Sequence, residues 1–470
     1  MRAVPALLLV AAAPAPPPPA VEQALASAGP GTRIGLVVAD ADGRELVAIR
    51  ADERFVPASN TKIFTTAAAF AALDTAAPDA AGGAGVRIDG QDVILTGHGD
   101  ARLSSAPDCA ADCLFDLARA VAKRTRVVQD VIGDDTAFPD ERWPLGMSWN
   151  NMAGRYGTAA SALTIDDNAV AVVVVPTRAG AAADLRGDGY YRLDDRVTTT
   201  VTGAPDLSIE RLPGSDTLRV TGTIPAGGAP VTLMAGIDDP AHRAAWRLAA
   251  LLRAAGVHVT GRIRVRHRAL TGADDPQRRG AAVAIAPRPA PALAQLIPPP
   301  LAEDIRLTNK QSQNLHAELL LRRVAARAGS GSVADGRAAV QALLDRAGVP
   351  RWSYDFADGS GMSNYNRVTP RATVRFLSWT RAQPWGAAWR ETLPVAAVDG
   401  TLARRFVGTP LAGRLFAKTG TLNAATAVSG FMVAASGRTL TFAAFANDMP
   451  ADAGATAALD RALLAVAAAY

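Results

Sequence analysis

The sequence predicts a mixed α/β (α+β) protein: an antiparallel sheet of about five strands, assembled from the two ends of the chain and covered by helices, with β-rich insertion between them. Three observations predict it. Residues 32–38 and 45–49 are β-type runs flanking Asp40-Ala41-Asp42-Gly43, a hairpin signature. Residues 427–434 and 439–446 flank Ala435-Ser436-Gly437-Arg438 and predict a second hairpin near the end. Between them, roughly residues 76–284 are richer in Gly and turn signals than either flank.

Along the chain, Met1-Arg2, the apolar run 6–13 and the prolines of 14–19 read as a short secretory signal with a Pro-rich end. That run is too short to span a bilayer, and no other stretch approaches the roughly 18 apolar residues a span needs, so an exported protein without a transmembrane span is expected, periplasmic or associated with the cell wall. Residues 60–73 are nearly all Ala, Phe, Ile, Thr and Lys, without Gly or Pro, which predicts a buried helix starting at Ser59 after Val56-Pro57-Ala58. The insertion carries β-like runs at 93–96, 169–175, 196–202, 217–223 and 257–265, and one amphipathic helix over 240–255. Six prolines mark the return over 285–300, and residues 451–469 predict an Ala-rich closing helix. The expected division is a leader over 1–20, a terminal unit of 21–75 plus 285–470, an inserted unit of 76–167 plus 235–284, and a nested β-rich insertion over 168–234.

Composition narrows the function. In 470 residues with 49% hydrophobic content there is enough apolar material for two or three cores. The 49 basic residues are scattered among 44 acidic ones for a net charge of +5, and aromatics make up only 5%, which argues against a nucleic-acid partner. Cys109 and Cys113 are spaced to permit a local disulfide in an oxidising compartment, or to remain two free thiols. With two thiols and singly scattered histidines, none in an H-E-x-x-H spacing, neither a metal site nor a cofactor is expected.

Three short motifs can carry chemistry. Ser59-Asn60-Thr61-Lys62 sets a hydroxyl and an amine three residues apart at a helix start, on one face, so that the amine can reach the hydroxyl. A serine alcohol attacks well only when a neighbour takes its proton, and a lysine can do so only when burial or nearby cations lower its pKa. Ser312-Gln313-Asn314 opens a second helix, where a hydroxyl and an amide could enter the same cleft. Lys418-Thr419-Gly420-Thr421 precedes the terminal hairpin; a strand there presents Lys418 and Thr419 while Gly420 permits close backbone approach. Each alone also reads as a helix cap or a solvated strand end. Together, in the order S-x-x-K, S-x-N, K-T-G and on helix start, helix start and strand, they match the set of penicillin-binding proteins and serine β-lactamases.

On these residues the chain resembles the low-molecular-mass penicillin-binding proteins with inserted domains, the D-Ala-D-Ala carboxypeptidase/endopeptidase family (peptidase family S13). Further blocks that resemble it are Gly97-His98-Gly99-Asp100, Gly133-Asp134-Asp135, Ser161-Ala162-Leu163 with Asp167-Asn168, Asn309-Lys310 with Ala317-Glu318, and 358–363. The long gap from Ser59 to Ser312 also fits that family rather than β-lactamases.

The resemblance implies a penicillin-binding-protein/β-lactamase-like transpeptidase domain and acyl transfer on peptidoglycan stem peptides, with β-lactam antibiotics as inhibitors. It implies Ser59 as nucleophile, Lys62 as base, Ser312 as proton relay, Asn314 orienting Lys62, and Lys418 with Thr419 receiving the substrate carboxylate. The backbone N–H groups of Ser59 and Thr421, beside Gly420, would hold the oxyanion. Gln313 departs from the Asp of many relatives, and Asn151 stands near an acidic residue of some. Ser360 reads as part of a tight structural turn near the cleft, and His316 as a packing or surface residue. The rival readings are a β-lactamase or esterase with the same site, and an inactive wall-binding scaffold. Peripheral membrane or wall association and a homodimer stay open.

Overall fold

The computed structural model describes residues 16–212, 214–282 and 291–470. Most of the expected signal segment lies outside the described residues; within its Pro-rich end, Pro19–Ala26 forms a helix. Among the described residues no helix is long and apolar enough to cross a membrane.

Both predicted hairpins form and meet. The principal sheet is antiparallel throughout and runs in the order Leu415–Leu422, Ala425–Val433, Thr439–Asn447, Arg33–Ala39, Glu45–Ile49. The first strand pairs with the last one, Arg33 opposite Asn447 and Leu36 opposite Ala444, so the chain ends close the sheet on each other. Its two faces feed separate cores. In Thr439–Asn447, Phe442 and Ala444 face one core while Ala443 and Phe445 face the other, the period-2 alternation of a strand covered on both sides. Over one face lie the closing helix Ala455–Ala469 and the first helix Pro19–Ala26, with Val21, Leu459 and Leu463 buried. Over the other lies Thr61–Ala72, buried through most of its length as its unbroken Ala/Phe/Ile composition predicts, with Phe64 against Phe356 and Phe376.

The inserted chain forms its own sheets. The larger is five-stranded and mixed, in the order Ile263–Arg268, Val131–Pro139, Asp92–Thr96, Gly85–Asp89, Ala294–Gln295. Two of its pairings are parallel, and helices Leu114–Arg124 and Pro240–Ala254 share its core of Val93, Leu95, Val131, Leu117, Leu248 and Leu252. Helix Leu114–Arg124 was not among the predicted elements, although Leu114, Leu117, Ala118 and Val121 fall at the i, i+3, i+4, i+7 spacing of one buried face. It follows directly on Cys113, which is disulfide-bonded to Cys109. The run expected over 257–265 divides into His258–Val259, paired with Val127–Val128, and Ile263–Arg268, paired with Val131–Pro139; between them Gly261 lies against Gln129 and Asp130 with no room for a side chain. Ala294–Gln295 pairs with Val86 and Gly85, so the end of the Pro-rich return segment is held by the inserted sheet. Two three-stranded sheets over the region 169–236 enclose a small core of Val172, Val174, Leu218, Val220 and Ile224.

A smaller cluster joins the two sets of sheets. Leu315 and Leu319 of helix Asn314–Ala326 pack with Ala101, Phe138, Ala160 and Ala162 of the insertion. The opposite side of that helix, through Leu320, Leu321 and Val324, enters the core of the terminal sheet.

Gly430, opposite Ala417 on the strand next to the sheet edge, leaves no room for a side chain: a Cβ there would lie 2.1 Å from the Phe416 carbonyl oxygen and 2.7 Å from the Ala417 Cα. Backbone cannot yield as a flexible side chain can. Gly430→Ala is therefore expected to lower unfolding free energy by roughly 1–3 kcal/mol, the usual cost of overpacking, read as a lower urea midpoint; an unchanged midpoint would refute this account of the sheet.

Candidate active site

Ser59 sits in a short 3-10 turn, Ala58–Asn60, that leads into helix Thr61–Ala72. Ala58 takes a left-handed φ of 47° to make the entry. Lys62 lies one turn further on, as the spacing required, with its Nζ 2.9 Å from Ser59 Oγ. Ser59 is partly open to solvent, whereas Lys62 is completely buried.

The amine has two further partners, Asn314 Oδ1 at 2.6 Å and the Ser360 carbonyl oxygen at 2.6 Å. Both can only accept. A neutral amine has two N–H groups and one lone pair, so these acceptors use its two hydrogens and the lone pair is left for the Ser59 hydroxyl. Asn314 cannot reverse its amide without losing a second bond, because its Nδ2 donates to the Tyr156 carbonyl oxygen at 2.8 Å. Burial pushes the Lys62 ammonium down to about 7, while the charges of Asp358 and Glu318 pull the other way.

The third motif arrives on the sheet edge strand Leu415–Leu422. A Cβ on Gly420 would lie 2.7 Å from Pro57 O and 3.0 Å from Ser59 N, so its glycine lets the strand pass beside the nucleophile turn. Asn60 Nδ2 ties that turn to the strand through the Lys418 carbonyl at 3.1 Å. Lys418 Nζ donates to Ser312 Oγ at 3.0 Å and to Thr419 O at 2.9 Å. Ser312 lies in the connection between helices Leu301–Lys310 and Asn314–Ala326 with a left-handed φ of 61°. Burial, and then the charge of Lys62, hold the Lys418 ammonium well below its ordinary range. Thr419 Oγ1 donates to Thr401 Oγ1 at 2.7 Å, and Thr421 is exposed on the same strand. Of the residues named from sequence, Lys62 thus meets both Ser59 and Asn314, Gly420 lies against the Ser59 turn, Lys418 meets Ser312, and Thr419 and Thr421 share the Lys418 strand.

Several neighbours were given no role at the site in the sequence reading, although Glu318 and the segment 358–363 stood among its family-like blocks. The turn at Ser360 is structural, as expected, yet its carbonyl also receives Lys62. Asp358 accepts from Gly361 N at 2.9 Å and Ser363 N at 2.6 Å, and Glu318 accepts from Gly359 N at 3.1 Å and Ser360 N at 2.8 Å. Burial, then the charge of Asp358, pushes Glu318 up to about 7. Glu318 stands four residues after Asn314 on the same helix, a spacing that could have pointed to it. The Tyr156 and Ser360 carbonyls carry no sequence signal, since every residue has one.

His316 is neither a surface nor a packing residue. It is buried between Asp304, 2.5 Å from Nδ1, and Asp167, 2.8 Å from Nε2. Burial opposes its charge, but the two carboxylates prevail and raise it to about 10. Among the described residues no cluster of His, Cys, Asp or Glu could hold a metal ion.

A serine hydroxyl in contact with a lysine that burial lowers to about 7, with a second hydroxyl, an amide and a strand-borne lysine nearby, is the set of groups that a serine acyl-transfer site of the penicillin-binding type requires. The chain belongs to the D-Ala-D-Ala carboxypeptidase 3 (S13) family, whose model matches residues 19–469. It is 34% identical over 429 residues to a D-alanyl-D-alanine carboxypeptidase of Actinomadura sp. (strain R39), covering 85% of this chain and 74% of that one. It is 24% identical over 430 residues to the D-alanyl-D-alanine carboxypeptidase DacB of Haemophilus influenzae, covering 89% and 86%. The fold is similar to the crystal structure of penicillin binding protein 4 (dacB) from Haemophilus influenzae, with a TM-score of 0.79 at 21% identity over 95% of this chain and 98% of that one. A second structure of that protein, complexed with a novel β-lactam, matches with a TM-score of 0.72 at 20% identity over the same shares.

The low Lys62 value has a direct spectroscopic consequence. In protein labelled with 13Cε-lysine, one resonance is expected to titrate with a midpoint about 7 and to be absent from Lys62→Met. A Lys62 resonance that stays fully protonated up to pH 9 would contradict the discharged amine.

Proposed function

We propose that this protein cleaves the D-Ala-D-Ala bond of peptidoglycan stem peptides, as carboxypeptidase and as DD-endopeptidase on cross-links, through a Ser59 acyl-enzyme that β-lactams also form. The observation that carries this reading is the Lys62 amine, whose two hydrogens are taken by Asn314 and Ser360 and whose lone pair is left to Ser59.

Ser59 Oγ attacks the carbonyl carbon between the two D-alanines as its proton passes to Lys62. The oxygen that becomes negative is held by the N–H groups of Ser59, at a helix start, and Thr421. The C–N bond then breaks. Lys62 returns its proton, with Ser312 as relay, to the departing amine, leaving Ser59 esterified. Water attacks the ester, again giving a proton to Lys62, and Ser59 is released. A penicillin follows the first half of this sequence; its amine remains tethered by the opened ring and obstructs the water.

Lys418 gains its role on binding. Alone it is buried and discharged; the terminal carboxylate of the substrate, arriving beside it and Thr419, offsets the desolvation that keeps it neutral. The local disulfide and the signal-like start support export to the periplasm or cell wall, where such substrates lie.

Labelling with a fluorescent penicillin is expected to give a long-lived adduct in wild type and none in Ser59→Ala, which should also fail to release D-alanine from a pentapeptide. Labelling of Ser59→Ala, or rapid penicillin turnover by wild type, would sink the proposal. Because only neutral Lys62 accepts a proton, the labelling rate should fall about tenfold per pH unit below about 7. A flat profile from pH 5 to 8 would remove Lys62 as base. Asn314→Ala, which frees one amine hydrogen to compete for Ser59, should lower acylation roughly 10²-fold.

A further inference from the structure

The inserted chain does more than lie beside the cleft. Helix Asn314–Ala326, which begins at the second motif, has Leu315 and Leu319 in a core with Ala101, Phe138, Ala160 and Ala162 of the insertion. Its first residue, Asn314, is held in orientation by the Tyr156 carbonyl, also of the insertion. A third connection comes from a short turn. Asp166, Asp167 and Asn168 are consecutive non-glycine residues with φ of 50°, 54° and 47°, a left-handed run that L-residues adopt only when the surroundings impose it. Here the buried Asn168 imposes it, accepting from Ile165 N at 3.1 Å and donating to Ala159 O at 2.8 Å. The turn projects the Asp167 carboxylate across to the second motif. One oxygen accepts from Gln313 Nε2 at 3.0 Å, and the other meets His316 Nε2 at 2.8 Å. His316 is in turn anchored by Asp304 on the preceding helix, so Asp167 grips the residues on either side of Asn314.

We propose that Asp167 is a positioning residue for acyl transfer: by holding Gln313 and His316 it sets the turn that presents Ser312 to Lys418 and Asn314 to Lys62. This rests on the roles of Ser312 and Asn314 proposed above. Gln313 suits this contact, since its amide donates to Asp167 where a carboxylate would repel it. Asp167 touches neither reacting atom, so its effect is on geometry. Displacing Asn314 by a fraction of an ångström lets an amine hydrogen turn towards Ser59, whereas the carboxylate site at Thr419 is left intact. The loss should therefore fall on the rate of acylation at saturation and not on binding.

The test uses the full-length protein and the time course of penicillin acylation over a range of concentrations. Asp167→Gly removes the carboxylate while tolerating the left-handed backbone, Asp167→Asn keeps an acceptor, and Gln313→Ala cuts one hydrogen bond from the opposite side. The Asp167 side chain is 52% exposed but that of His316 is only 3% exposed, so removing one of the two carboxylates that hold this buried charge is expected to lower melting by several degrees, and the rates are compared well below the transition of every variant. Asp167→Gly should lower the limiting acylation rate about tenfold with half-saturation unchanged within about twofold, Gln313→Ala should shift it in the same direction, and Asp167→Asn should restore most of it. Wild-type rates in Asp167→Gly and Gln313→Ala, a loss confined to half-saturation, or an Asn variant no better than Gly would each overturn the proposal. Failure of the underlying reading looks different: Ser59→Ala would then label, whatever Asp167 does.

Discussion

The burial of Lys62 constrains everything around it. Burial disfavours the ammonium more than the nearby Asp358 and Glu318 favour it, which brings the group down to about 7, where the proposed mechanism needs a base. A base that is merely neutral has three directions in which to point. Asn314 and Ser360 remove two of them, and the third is Ser59. The rest of the site can be read as support for those two acceptors: Tyr156 orients the amide, while Asp358 and Glu318 hold the backbone whose carbonyl meets the amine.

This arrangement requires three distant stretches of chain to converge within a few ångströms. The sheet provides the first convergence by pairing the first strand with the last, which carries the Lys418 strand to the Ser59 turn. Helix Asn314–Ala326 provides the second. It is buried on two sides, by the terminal core and by the insertion, and so cannot slide along either without opening the other. Glu318, Lys62 and Lys418 are all shifted towards their neutral forms by the same low-dielectric surroundings. Excluding water from this region makes each remaining hydrogen bond stronger and each misplaced donor more harmful.

Legibility in the sequence followed the range of the interactions. Hairpins, the buried helix after Ser59 and the closing helix rest on local periodicity and turn residues, and they appeared where expected within a few residues. The parallel pairings of the inserted sheet did not, since parallel partners are far apart in sequence; helix Leu114–Arg124 was legible in the spacing of Leu114, Leu117, Ala118 and Val121 and was overlooked. The side chains proposed as nucleophile, base and orienting amide could be named from sequence because those roles need particular functional groups. His316 was misread because its two carboxylate partners lie 12 residues before it and 149 residues before it, and a lone histidine has no local mark of its charge.

The sequence by itself determined the chemical groups, their order and the helix and strand that carry each, because those follow from residue type and from contacts three or four positions apart. Only the tertiary structure decided which lysine direction is left free, which backbone carbonyls serve as acceptors, and that an inserted turn reaches the second motif. Those depend on burial and on angles between groups from separate segments, and no local pattern of residues encodes a lone pair's direction.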